Sequence, residues 1–242
     1  MKGLDSPRLI LERAKKHVDE FEIAVAEFLR PPGPYIVEPH AETEPDHYGW
    51  TLHILREPPE ELGLIAGDAI TNTRHALDHL LAAIIEHGCK GAVVDEDTYF
   101  PVCRLPEHWT SQAKGRLKNV PGQCWGLVEG VQPYHGPDWP ETSYLWYLNQ
   151  FARGHKHRAT QVVYTEKYVE ATNGFFQTIS GGVRDGDQVV IVAPPAPYPY
   201  KAQMGVSIGF RVADQTIGFA SIRAIHSFVR DDVLPMFEHC FD

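Results

Sequence analysis

Asp68, Asn72, Arg74, His75, Asp78 and His79 all fall within one stretch, GDAITNTRHALDHLL, that runs from Gly67 to Leu81. These residue types can do chemistry. A histidine exchanges protons near neutral pH, and a guanidinium grips an anion through paired N–H donors. Spacing decides whether they can act together. An ideal helix advances about 100° per residue, so with Asp68 at zero Asn72 falls at about +40°, His75 at about −20° and His79 at about +20°. The four make a narrow polar stripe. Leu62, Ala69, Thr73, Leu77, Leu80 and Ile84 lie on the other side of the helix as a core face. Arg74 and Asp78, at i and i+4 on one flank, are placed for an ion pair.

Three readings of the stripe stay open. It is a solvated helix face, although such a face more usually carries long Lys and Glu side chains than Asp, Asn and His. It is a metal site, with His75 and His79 at i and i+4, Asp68 or Asp78 as a carboxylate, and His155 and His157 as further ligands. No H-E-x-x-H occurs, and Arg and Lys sit beside the histidines, so no bound metal and no other cofactor is expected. Or it is a phosphate-directed site, in which a histidine moves a proton and an arginine stabilises the charge on phosphorus.

Arg74 to His79 fits R-x4-H with a polar residue after the arginine. This resembles the motif of HEPN (higher eukaryotes and prokaryotes nucleotide-binding) domains, many of which are metal-independent ribonucleases. The resemblance implies that Arg74, Asp78 and His79 are catalytic and that RNA is a partner. It also implies a homodimer, because in that family two motifs, usually from two protomers, build one site. Arg74 and His79 are about 140° apart on an ideal helix, which suits a site shared between protomers.

A second cluster lies in NQFARGHKHRATQ, where Arg153, His155, Lys156, His157 and Arg158 form the densest positive run of the chain. Cations there complement the C-terminal end of a helix. They also suit a phosphate or carboxylate, so Asp68, Asn72, His75, Arg153, Lys156, His157 and Arg158 are candidate ligand-binding residues for an anionic small molecule or nucleotide. A purely structural network joining the two helices through Asp78, His79 and His157 is the remaining alternative. The chain further resembles a widespread group of bacterial proteins that combine G-D-x-x-x-N-x-R-x-A-L-D-H-L, Q-P-Y and a helix ending D-K-H-R. Here these are Gly67 to Leu80, Gln132-Pro133-Tyr134 and Lys156-His157-Arg158, with His155 in place of the aspartate. The resemblance implies that the two helices form one constellation and brings no established activity.

These groups need elements to position them. Ser6-Pro7 reads as N-cap and first turn of a helix in which Ile10, Ala14, Val18, Phe21, Val25 and Phe28 recur every three or four residues. Pro31-Pro32-Gly33-Pro34 ends it. Two strands are expected, from Tyr35 to Glu42 and from Tyr48 to Arg56, around a turn at Glu44 to His47. Pro58-Pro59 opens a long helix to about His87, capped by Gly88. From Cys89 to Thr142 the chain reads as irregular, with short helices near Trp109–Leu117 and Gln123–Val131. A helix capped by Thr142 carries Leu145, Leu148, Phe151 and Ala152. The pattern then turns to β, with strands expected at Ala159–Tyr164, Val169–Ile179, Gln188–Ala193 and Gly205–Ala213. A last helix, about Ser221 to Cys240, is kinked by Pro235.

The expected fold is therefore α+β, with helices packed on an antiparallel sheet and a C-terminal helix. One domain covers residues 1–242: a helical, motif-bearing part to about 158, a β-rich part from about 159 to 220, and the final helix from about 221 to 240. A 43% hydrophobic content supports a packed core. The net charge of −10 disfavours non-specific nucleic-acid binding. No run is long enough to span a membrane, and no membrane partner is expected. The N-terminus breaks its apolar stretch with charges, unlike a signal peptide. Cys89, Cys103, Cys124 and Cys240 form no C-x-x-C pair, which suggests a reducing, cytoplasmic setting. No phosphate-loop motif occurs.

Overall fold

A computed structural model describes residues 3–40, 49–88, 94–95, 98–136, 143–156, 162–172, 201–212 and 215–242. Helix α1 (Asp5–Leu29) turns Pro7, Leu11, Ala14, Val18, Phe21 and Val25 into the core. Ile10 and Phe28, at the margin of that stripe, are only partly buried. Ser6 does not cap α1 with its side chain. Its hydroxyl is taken by His79 instead.

Strands β1 (Tyr35–His40) and β2 (Gly49–Ile54) pair antiparallel, with Tyr35 opposite Ile54 and His40 opposite Gly49. The expected turn at Glu44 to His47 lies outside the described residues. Helix α2 (Glu60–Gly88) follows Pro58-Pro59, where proline ends the preceding extended segment and leaves the first turn free to form. Leu62, Ala66, Ile70, Leu77, Leu80, Leu81 and Ile84 form its buried face. Ser6 meets His79 at one end of α1, and Phe28 shares a groove with Pro59 and Leu62 at the other. The two long helices therefore run antiparallel.

Residues 98–103, outside any helix or strand, lie against α2 at Arg74 and Asp78. The chain then makes α3 (Pro106–His108), a wide π turn (Trp109–Ala113), α4 (Lys114–Arg116) and α5 (Gly122–Gly130). Helix α6 (Tyr144–His155) is capped one residue later than expected: the Ser143 Oγ accepts the Trp146 N–H at 3.3 Å. Leu145, Leu148 and Phe151 are its buried face.

The second sheet has the order β3–β4–β5, all antiparallel: β3 (Val162–Thr172), β4 (Lys201–Val212) and β5 (Gln215–Gly218). Two expected strands, Ala159–Tyr164 and Val169–Ile179, contribute to one long β3 that absorbs an irregularity between Tyr164 and Glu166. The strand expected at Gln188–Ala193 lies outside the described residues. Ile208, Phe210 and Val212 alternate inward. Phe210 packs between Phe21 and Phe151, with ring centroids 5.3 and 5.2 Å away, and so joins sheet to helices. Each such buried side chain stabilises the fold by about 1.5–3 kcal/mol.

The C-terminal helix is broken as Pro235 requires. Helix α7 (Ala220–Ser227) widens into a π turn (Phe228–Val233) before α8 (Leu234–Met236). Proline has no N–H and crowds the carbonyl four residues back, and the wider turn relieves both. A disulfide joins Cys124 of α5 to Cys240, 116 residues later. The fold is α+β, with one hydrophobic core to which α1, α2, α5, α6, β4, β5 and the C-terminal helices all contribute. No described helix is long and apolar enough to cross a membrane.

Candidate functional site

The expected Arg74–Asp78 ion pair forms, at 2.6 Å, and it does more than join two turns of α2. Asp78 Oδ1 also accepts the Phe100 N–H at 2.8 Å, and the second Arg74 nitrogen donates to the Phe100 carbonyl at 2.6 Å. Both backbone groups of Phe100 are thus held by one ion pair. Arg74 is buried at 8% exposure, which makes a complete set of partners necessary. Three residues further on, Gln132 repeats the device. Its Oε1 accepts the Cys103 N–H at 2.8 Å, and its Nε2 donates to the carbonyls of Pro101 and Val128 at 3.0 and 2.8 Å. Gln132 is 2% exposed. The 98–103 segment has no strand or helix partner, so these side chains satisfy its buried backbone.

Held in this way, the segment forms one edge of a cleft of about 790 Å3 between α2 and α6. Helix α2 presents Thr71, Arg74, His75 and Asp78, and α6 presents Asn149, Ala152, Arg153 and Lys156. Each set follows the three-and-four spacing of one helix face. Tyr99 and Arg116 close the third side, the guanidinium lying 4.0 Å from the centre of the tyrosine ring. Thr98, Phe100 and Val102 complete it. The lining carries Arg74, Arg116, Arg153 and Lys156 against a single carboxylate, Asp78, which Arg74 already engages. Arg153 and Lys156 are exposed and have no ion pair among the described residues. This positive wall belongs to a chain of net charge −10.

His75 stands at the mouth of the cleft. Its ring is exposed on one side and shielded on the other, and that shielding holds its pKa below the usual histidine value. Asp78 opposes the shift, while Arg74, His79 and Lys156 add to it. His75 is therefore mainly neutral at neutral pH.

The polar stripe read from the sequence divides in two. His75 lines the cleft, whereas Asp68, Asn72 and His79 do not. Asn72 donates to its own helix, at the Asp68 carbonyl, 2.8 Å away. Asp68 is exposed. His79 is exposed, with Nδ1 2.8 Å from Ser6 Oγ on α1. Within one chain, then, Arg74 and His79 face different surroundings. His157 and Arg158 lie outside the described residues. The helices bearing the two clusters do pack side by side: the His155 ring lies over Gly67, where any Cβ would collide with it. Glycine at this position lets α6 approach α2, which is how Arg153 and Lys156 come to face His75.

Among the described residues no three His, Cys, Asp or Glu side chains converge as metal ligands. Cys103, the one unpaired thiol among them, is buried, and burial pushes its pKa up, away from a nucleophile's. Sequence reasoning missed Thr71, Tyr99, Arg116 and Asn149. Asn149 carried a usable signal, one turn before Arg153 on the same face. Tyr99 and Arg116 lie in the irregular region, where no period places them. No family model, curated protein or solved structure matches the chain.

Proposed function

We propose that the protein binds an anionic small molecule, a nucleotide or other phosphorylated or carboxylated compound, in the cleft between α2 and α6. The observation that carries this reading is the charge of the lining. Arg153 and Lys156 face the cleft with no counter-ion among the described residues, in a chain whose net charge is −10. An anion is the group that relieves such a concentration of like charge. The Arg74–Asp78 pair fixes the facing side of the cleft by holding Phe100, so that side is ordered before a ligand enters. Titration calorimetry with inorganic phosphate tests the reading. The wild type is expected to bind, and Arg153→Ala with Lys156→Ala to lose binding while melting at the same temperature. Equal binding by both proteins removes it.

Metal-independent RNA cleavage, with HEPN-like Arg74 and His79, is the second reading. One observation favours it. His79 is exposed and uses only one ring nitrogen among the described residues, which leaves the other for proton transfer. Because Arg74 holds Phe100 and His79 lies outside the cleft, this chemistry requires a second protomer to supply the partner group. An assay on single-stranded RNA in EDTA, with wild type and His79→Ala side by side, decides it. The anion-binding reading expects cleavage by neither.

A further inference from the structure

We propose that the cleft takes a doubly charged tetrahedral anion, of the phosphate or sulfate class, and that His75 gains a proton as the anion enters. The proposal rests on the anion-binding reading above and deepens it.

Charge matching gives the class of ligand. Arg74 is neutralised by Asp78 at 2.6 Å. Arg116 stacks on the Tyr99 ring, while Arg153 and Lys156 have no ion pair among the described residues. They are one turn apart on α6 and bring two positive charges to one place. A dianion balances both, whereas a single carboxylate leaves one unmatched. The hydroxyl of Thr71 and the amide of Asn149, on opposite walls, add neutral donors that suit oxygens pointing in several directions.

The position of His75 gives the coupling. The groups facing it are Arg74, Asp78 and His79 on its own helix, Arg153 and Lys156 on α6, and Tyr99 and Arg116 across the cleft. Cations outnumber the one carboxylate, so a proton on His75 is opposed while the cleft is empty. Shielding of one side of the ring opposes it most. A dianion among the same groups removes most of that excess and gives the imidazolium N–H a charged acceptor. Linkage is reciprocal: the factor by which the anion raises the proton affinity of His75 is the factor by which the proton raises anion affinity.

Sulfate is the probe, because it stays doubly charged across the range in which histidine titrates, about pH 5 to 8. Any pH dependence of its binding must then come from the protein. Calorimetric titrations at about pH 5.5 and about pH 7.5 are expected to show sulfate binding roughly tenfold tighter at the lower value, a factor within the usual span of site coupling. Repeating the titration in buffers of different ionisation enthalpy is expected to show net proton uptake. His75→Gln is expected to bind sulfate equally at both pH values, and thermal melts check that this exposed substitution leaves the fold intact. Acetate is expected to bind more weakly than sulfate at each pH. Sulfate binding that ignores pH in the wild type overturns the coupling, as does a pH dependence that survives in His75→Gln. In either case loss of binding in the Arg153→Ala, Lys156→Ala protein would leave the anion-binding reading standing. Acetate bound as tightly as sulfate overturns the dianion. No binding of sulfate or phosphate at any pH removes the proposal and the reading beneath it together.

Discussion

The clamp at Phe100 and the wall at Arg153 and Lys156 lie on two sides of one cleft, and they use charge in opposite ways. In the clamp every charge has a partner. Arg74 meets Asp78 and a carbonyl, Asp78 meets Arg74 and an N–H, and Gln132 continues the pattern along the same segment. On the wall, Arg153 and Lys156 meet no carboxylate among the described residues. A buried, matched network holds a shape, whereas an exposed, unmatched cluster is free to pair with an incoming anion. The comparison also sorts the sequence elements: Arg74 and Asp78 hold the segment, as does Gln132, and the charged end of α6 faces the cleft.

Breaking the clamp should have the largest effect on stability. Asp78→Ala leaves Arg74 buried without its counter-ion and the Phe100 N–H without an acceptor, at a cost of about 3 kcal/mol. For a chain of this size that lowers the melting temperature by roughly 6–12 °C. Thermal melts check it, and Asp78→Asn should cost less because its amide oxygen still accepts the Phe100 N–H. Gln132→Ala comes next, at about 2 kcal/mol, since three buried hydrogen bonds are lost. Denaturant unfolding reads this loss directly. A melting temperature unchanged in both variants would mean that the two sides of the cleft do not differ as argued.

A smaller, pH-dependent effect separates a structural histidine from the one at the cleft. His226 is buried, and its Nε2 donates to the Leu11 carbonyl at 3.0 Å. Burial holds its pKa below the usual value, against the pull of that carbonyl. A histidine kept neutral by the fold binds protons more readily once unfolded. Its contribution is complete above the unfolded value near 6.5 and is lost as pH falls below it toward the folded one. Melting temperature should therefore decline from about pH 7 to about pH 5, and less steeply in His226→Gln. His75 acts in the same direction without ligand, so the His75→Gln protein should also show a shallower decline, and the addition of sulfate should change only the His75 part. The smallest effect is expected from His79→Ala. Its bond to Ser6 is exposed, so the loss should stay within about 0.5 kcal/mol. A cost of several kcal/mol would move His79 into the structural network.

Much of this was legible where a local period or a local partner decides the outcome. Helices α1 and α2 follow from apolar spacing and from the prolines at their ends. The Arg74–Asp78 pair follows from its i, i+4 placement. The misses share a cause: the deciding partner is distant in sequence. Ser6 reads as a cap, but His79, 73 residues away, takes its hydroxyl. Gln132 reads as part of a stop signal, whereas two of its three partners are backbone groups about 30 residues earlier. The Cys124–Cys240 bridge has no spacing motif, and β5 is too short to show alternation. Five of the thirteen lining residues were visible in the two charged clusters. Tyr99 and Arg116 were not, because the segment that carries Tyr99 is shaped by the clamp rather than by any propensity of its own.

The central claim is that the unmatched cations are there for an anion. A crystal structure determined in the presence of phosphate tests it most directly. The account predicts an anion seated between Arg153 and Lys156, within hydrogen-bonding reach of both, with His75 turned toward it and the Arg74–Asp78–Phe100 clamp unchanged. A cleft filled only by water at saturating phosphate, or an Arg74 that abandons Phe100 to reach the anion, would contradict it.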